Sequence, residues 1–136
     1  MKKIVLFIDA VPINCNRIRV DKEFRDISNV LDRANGRNKY SIKHASASRL
    51  KDVYRALLKY NPNIAHFSCH GMKEGIVLEN VNGYSKILKS TPLANLLRPF
   101  KNGGLECVVF NYCFSKNPAK ILSKKNGLCS WNKKYY

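Results

Sequence analysis

The sequence predicts an α/β fold with a mostly parallel central sheet, and two observations carry this prediction. Short apolar runs typical of buried strands alternate with segments of helical periodicity over the first half of the chain. Strand-helix-strand order implies right-handed crossovers and therefore parallel pairing of the strands. With 136 residues, 45% of them hydrophobic, the chain can build a single core.

The first half of the chain is predicted to contain three strands and two helices. An apolar run indicates a first strand over 3–8, and apolar residues at helical spacing indicate a helix over 21–34. One face of this helix is apolar: Phe24, Ile27, Val30, Leu31 and Ala34. Alternation indicates a second strand over 40–45, Ser48 is predicted to cap the second helix, and the third strand begins at Ile64.

The pattern changes after Gly71. Asn82-Gly83 separates two short apolar runs, which is a strong hairpin signal and indicates a small β-ribbon outside the main sheet. Three further elements are expected: a helix opened by Ser90 or Thr91, a fourth strand over 105–111 and a last helix over 117–124.

Two polar clusters that directly follow predicted strands are the main functional signal. Ser68-Cys69-His70-Gly71 follows the third strand, and Asn111-Tyr112-Cys113 follows the fourth. Ligands of open α/β sheets bind at the carboxyl ends of the strands, where these clusters would meet. An imidazole beside a thiol is the arrangement of a cysteine nucleophile with its base, so His70 and Cys113 are the predicted catalytic pair.

The same residues resemble the caspase-like (clan CD) cysteine peptidases, and within them the CHAT domains, which are related to separase and metacaspases. The resemblance covers residues 2–115 and rests on these stretches: 4–7, 17–23, 62–71, 75–79 and 108–113. Cys69 departs from the pattern, since glycine is commoner there in CHAT domains. The resemblance implies a caspase-like three-layer α/β/α fold and an endopeptidase that hydrolyses protein substrates without a metal or other cofactor.

The chemistry of a cysteine peptidase suggests further site residues. The backbone N–H groups of Gly71 and Cys113 are the candidate oxyanion donors, because glycine lets a substrate carbonyl approach the backbone. Candidate substrate-binding residues follow the strands: Asp9, Arg17, Arg19 and Asn111. Asp9 would favour a basic P1 residue and the two arginines an acidic one, so the preference stays open.

The remaining histidines and cysteines are predicted to be structural. His66 and His44 lie within strands, where a packed or partner-bonded histidine is the more common case. Cys69 should point to the opposite face from His70 and pack in the core, and Cys107 lies in an apolar strand. An odd count of five cysteines and the lack of a C-x-x-C pair argue against a disulfide framework and a zinc site.

The chain is strongly basic, with 25 Lys and Arg against 9 Asp and Glu and a net charge of +16. This charge favours polyanions, but the basic residues are scattered, so dedicated nucleic-acid binding is not expected. The first apolar run is too short for a signal-peptide core, and no run has the roughly 20 residues of a membrane span. These features predict a cytoplasmic protein, and the resemblance implies a prokaryotic one.

The C-terminal part is predicted to depart from the family pattern. We expect a caspase-like domain over 1–125 and a basic tail over 126–136 that includes a remnant of a further strand near Trp131. A sheet shortened in this way would leave an open edge, which tends to recruit another chain. The alternative to a peptidase is therefore a catalytically silent interaction module that associates with itself or a partner through this edge.

Overall fold

The computed structural model describes residues 2–46, 48–111, Lys120 and 129–132. Strands and helices alternate up to β3, and the elements in chain order are β1 (Lys3–Ala10), α1 (Val20–Arg33), a 3-10 helix (Arg37–Lys39), β2 (Tyr40–Ala45), α2 (Leu50–Tyr60), β3 (Ile64–Met72), β4 (Gly75–Glu79), β5 (Ser85–Lys89), α3 (Ser90–Asn102), β6 (Cys107–Asn111) and β7 (Cys129–Asn132). The predicted α/β class is confirmed. The last predicted helix, over 117–124, lies outside the described residues except for Lys120, which is helical.

The central sheet has the strand order β2-β1-β3-β6-β7, and all four pairings in it are parallel. β7 pairs with β6 along its whole length, so a further strand is present in the region around Trp131. The predicted hairpin is β4 and β5, which pair antiparallel with each other. The sheet is therefore parallel in its centre, with an antiparallel ribbon attached to β3.

The prediction that the third strand ends before Ser68 is wrong, because β3 continues through His70 and Gly71 to Met72. Up to Cys69 the strand pairs with β1, and from His70 onward it pairs antiparallel with β4. Since β1 ends at Ala10, β3 extends beyond it and exchanges one partner for the other. His70 therefore lies where the strand leaves the central sheet.

Helices cover both faces of the sheet. On one face, α2 and α3 bury alternate residues of the central strands, with Phe67 and Phe110 stacked at a ring separation of 5.6 Å. On the other face α1 packs through Phe24, whose ring lies 5.4 Å from that of Phe7. This gives three layers, α/β/α. Within the described part of the chain, none of the helices is long and apolar enough to cross a membrane.

Two local predictions about the helices are wrong. Ser48 does not cap α2, since its hydroxyl donates to the Ala45 carbonyl, and the N-cap is Arg49, whose backbone N–H donates to the Asp52 carboxylate. Val30 does not belong to the buried face of α1, because 67% of it is exposed. An aliphatic residue at helical spacing can thus lie outside the packed face of the helix and remain exposed.

The start of β4 provides a stability prediction. A Cβ atom at Gly75 would lie 2.0 Å from the Leu88 carbonyl oxygen of the paired strand, so Gly75→Ala must push β4 and β5 apart. We expect the free energy of unfolding in urea to fall by about 1–3 kcal/mol, as for other overpacked sites. Gly36→Ala is the matched control, because its Cβ would meet nothing closer than 3.8 Å. Equal effects of the two substitutions would contradict the steric argument.

Candidate active site

Polar residues lie side by side at one edge of the central sheet, where β1 and β6 end and β3 leaves the sheet. In the parallel pairing, Asp9 of β1 is opposite Ser68 of β3, and Ser68 is opposite Asn111 of β6. Because successive strand residues alternate between faces, this row lies on the face that carries α1, away from the core under α2 and α3. The parallel pairing thus brings together polar groups that are 43 or more residues apart along the chain.

Glu23 of α1 binds to this row. His66 Nε2 donates to its Oε1 at 2.6 Å, and the Ser68 hydroxyl donates to its Oε2 at 2.6 Å. The Asn111 side chain hydrogen-bonds to the same carboxylate. We call these four residues the Glu23 network; through it one carboxylate links α1 to the ends of β3 and β6.

The Glu23 carboxylate is ionised at neutral pH. Partial burial acts to raise its pKa, but the hydrogen bonds from His66, Ser68 and Asn111 together outweigh burial and hold the pKa below its usual value. Since an ionised carboxylate only accepts hydrogen bonds, His66 carries a proton on Nε2. The Glu23 carboxylate is therefore negatively charged where it binds the side chains of β3 and β6.

The two other strand histidines have the structural contacts predicted for them. The His66 ring stacks on Phe7 at 5.0 Å, and the His44 ring stacks on Phe24 at 4.4 Å. His44 Nε2 also binds the Asp9 carboxylate. Both imidazoles are thus fixed between α1 and the sheet by a ring contact and by a carboxylate.

His70 has a different environment, at the point where β3 leaves the central sheet. Its Nε2 donates to the backbone carbonyl of Asn16, at 2.5 Å, in the loop between β1 and α1. A carbonyl oxygen can only accept, so in the neutral ring the proton lies on Nε2 and Nδ1 is the basic nitrogen. The contact therefore selects the tautomer whose Nδ1 can take a proton from a neighbouring acid.

The proposed nucleophile, Cys113, lies outside the described residues, which reach Asn111 at the end of β6. Of the proposed oxyanion donors, Gly71 is opposite Ile76 in the β3–β4 pairing, and Cys113 is again outside the described residues. The structure thus locates one partner of the predicted pair, His70, and the strand end from which the other follows two residues later.

The candidate substrate-binding residues have four different environments. Asp9 is buried, with 4% exposed, and binds His44. Arg17 is exposed in the loop after β1, while Arg19 forms an exposed ion pair with Asp21 at 3.1 Å. Asn111 belongs to the Glu23 network. Of the four, Arg17 is the exposed side chain with no ion pair to a described residue.

Two other cysteines, Cys69 and Cys107, are not candidates for the nucleophile. Cys69 is 3% exposed and belongs to the core under α2 and α3, as predicted. Its burial raises the pKa of its thiol, which therefore stays protonated. Cys107 is half-buried at the start of β6, at the opposite end of the strand from Asn111.

Sequence reasoning missed the role of Glu23. The residue lies in the 17–23 stretch of the resemblance, and it precedes Ile27 by one helical turn, so it falls on the face that meets the sheet. A carboxylate on the buried face of an amphipathic helix was the available signal. It indicates a partner, because a charge in such a position is retained only when other groups bind it.

Two curated proteins are similar to the chain, and no protein-family model matches it. A probable protease from Gillisia limnaea is 30% identical over 125 residues, which are 90% of this chain and 22% of that protein. A Roc-COR-CHAT protease from an unknown prokaryotic organism is 26% identical over 121 residues, 84% of this chain and 11% of that protein. The chain thus spans about a fifth and a tenth of these relatives. Both are named as proteases, and one of the two names specifies a CHAT protease, which suggests a relation to this type.

Proposed function

We propose that this chain is a caspase-like cysteine endopeptidase domain in which Cys113 is the nucleophile and His70 its base. The similarity to two proteins named as proteases supports peptidase activity but does not specify the type of peptidase. The assignment to a cysteine peptidase is our inference from the residues at the carboxyl ends of β3 and β6.

The pairing of β3 with β6 is the observation that carries the proposal. Ser68 is opposite Asn111 in this parallel pair. His70 and Cys113 each follow by two residues, so they come after equivalent positions on neighbouring strands. A base on one strand and a nucleophile that follows the neighbouring strand can be held within reach of one substrate bond, which is what covalent catalysis needs.

The contact of His70 with Asn16 supports its role as the base. Because Nε2 is committed to the Asn16 carbonyl, Nδ1 is available to take the proton of the Cys113 thiol. The positive charge that then develops on the ring is favoured by the carbonyl dipole. The Asn16 carbonyl thus orients the imidazole, a role that a carboxylate has in other catalytic pairs.

The proposed reaction has two steps. The Cys113 thiolate attacks the carbonyl carbon of the scissile peptide bond, and backbone N–H groups, for which Gly71 and Cys113 are our candidates, stabilise the oxyanion. His70 returns the proton to the leaving amine as the C–N bond breaks, which leaves a thioester. Water, deprotonated by His70, then attacks the thioester, and the acid product and the free thiol are released.

The proposal is tested by covalent labelling and turnover of the purified chain. We expect a peptide library with an electrophilic carbonyl in place of the scissile bond to label Cys113, as mapped by mass spectrometry, and a fluorogenic peptide library to be cleaved. Cys113→Ala should abolish both signals, with activity reduced at least about 10³-fold, because it removes the nucleophile.

Cys107→Ala is the matched control, since it removes a thiol at the start of β6, the strand that precedes Cys113. This variant should keep both signals. Labelling of Cys113 without turnover would support a reactive thiol but would contradict endopeptidase activity of this chain. Absence of both signals, in a chain that unfolds cooperatively, would favour the silent interaction module instead.

A further inference from the structure

A groove on the opposite side of the sheet from the Glu23 network is not explained by the proposed function. It encloses about 870 Å³ between the start of α2, the β4–β5 ribbon and the start of α3. We call it the α2–α3 groove. Its apolar lining comes from all three elements and from the ribbon turn: Leu50, Tyr54, Val81, Leu88, Pro92 and Leu96.

Part of the apolar lining is exposed. Val81, at the tip of the ribbon turn, is 79% exposed, and Leu50 and Tyr54 of α2 are each more than 40% exposed. Tyr54 meets Phe100 of α3 edge to face, which fixes one wall of the groove. Contiguous apolar surface of this kind, bordered by polar residues, is typical of a binding surface.

The rim of the groove is basic. Lys51 and Lys86 lie on it, and neither forms an ion pair with a described residue. The acidic residue in the lining is Glu79, whose carboxylate accepts a hydrogen bond from the Val11 backbone at 3.2 Å. Arg49, also on the rim, is paired with Asp52. Two cations are therefore left to face whatever occupies the groove.

We propose that the α2–α3 groove binds an acidic segment of another protein or domain, with at least two large apolar side chains next to Asp or Glu. The apolar residues would fill the space over Leu88 and Leu96, and the carboxylates would meet Lys51 and Lys86. Charge complementarity selects this occupant. Residues 112–136 of the chain carry six lysines and no acidic residue, and a second copy carries a net charge of +16, so both are repelled by the rim.

The test is a selection of random dodecapeptides displayed on phage, made on the Cys113→Ala chain at physiological salt so that no peptide is cleaved. We expect enrichment of peptides with net negative charge and two or more large apolar residues. The strongest binder is then synthesised with a fluorescent label and titrated by anisotropy. Lys51→Glu with Lys86→Glu should weaken its binding at least tenfold, and Val81→Asp should do the same.

Lys39→Glu with Lys101→Glu is the matched control, because it changes the net charge equally at exposed residues that do not line the groove. It should weaken binding less than threefold. A peptide with lysine in place of each acidic residue should bind the Lys51 and Lys86 double variant better than the parent chain. This exchange distinguishes direct pairing from a general loss of folding.

Several results would overturn the proposal. They are enrichment of basic or uncharged peptides, no enrichment, or equal effects of the two charge-reversal pairs. Self-association in sedimentation that Val81→Asp abolishes would assign the groove to a second copy, and displacement of the peptide by random duplex DNA would assign it to nucleic acid. Because Cys113 is absent from the tested chain, none of these results depends on the proposed peptidase activity.

Discussion

His70→Ala is expected to slow alkylation of Cys113 by iodoacetamide at pH 7 about tenfold and to lower peptide turnover by about 10²–10⁴-fold. An ordinary thiol, with a pKa of about 8.5, is only about 3% ionised at this pH. An adjacent imidazole that accepts its proton raises the thiolate fraction, and part of the gain is offset by the lower nucleophilicity of a more stable thiolate. Quenched time points analysed by mass spectrometry give the rate at each cysteine.

The other cysteines provide the controls within the same sample. Cys69 should react slowest, since burial raises the pKa of its thiol and the core excludes the reagent. Its rate should not change in His70→Ala, and an increase would reveal loosening of the core. Cys15, half-buried in the loop after β1, should react at an ordinary rate in both proteins. If Cys113 reacts no faster than Cys15, the case for an activated thiol fails.

Apart from the short 3-10 helix Arg37–Lys39, the order and type of the described elements could be predicted, because each has a signal in the local sequence. β2 has the predicted bounds, Tyr40–Ala45, since alternation over six residues is a strong signal for a half-buried strand. The hairpin of β4 and β5 follows from Asn82-Gly83, where Gly83 has a φ of 83° that favours glycine. Such signals depend on neighbours in sequence and need no knowledge of the fold.

The errors have a different origin. The sequence predicts that the third strand ends before Ser68, because polar residues and a glycine usually mark a turn. In the folded chain, the hairpin returns beside these residues, and its pairing with β4 keeps them in extended conformation. In the same way, the cap of α2 depends on Arg49 and Asp52, whereas Ser48 is turned back to Ala45.

The Glu23 network shows why the site itself was only partly predictable. The positions of His66 and Ser68 at the end of a strand follow from alternation and from the parallel sheet. Their common partner is a residue 43 and 45 positions earlier on a helix, and only the packing of α1 across the sheet brings it there. Periodicity identifies the face that Glu23 occupies but not the side chains opposite it.

Glu23→Gln is expected to lower the free energy of unfolding at pH 7 by about 1–3 kcal/mol, although the side chains have nearly the same shape. The amide offers one acceptor in place of two charged oxygens, so the hydrogen bonds from His66, Ser68 and Asn111 lose charge assistance and one of them loses its acceptor. Urea titrations of both proteins at a series of pH values measure the effect.

The pH dependence of this loss of stability follows from the direction in which folding shifts the pKa of Glu23. Because the folded chain lowers the pKa of Glu23, its contribution to stability is complete above the unfolded value of about 4.3 and is lost as the pH falls through the folded pKa. The stability difference between parent and Glu23→Gln should therefore be constant near neutrality and shrink in acid. Glu74→Gln, the same change at an exposed residue, should alter stability by less than about 0.5 kcal/mol at any of these pH values. A difference for Glu23→Gln that does not depend on pH would show that the ionised carboxylate is not what holds α1 against the strand ends.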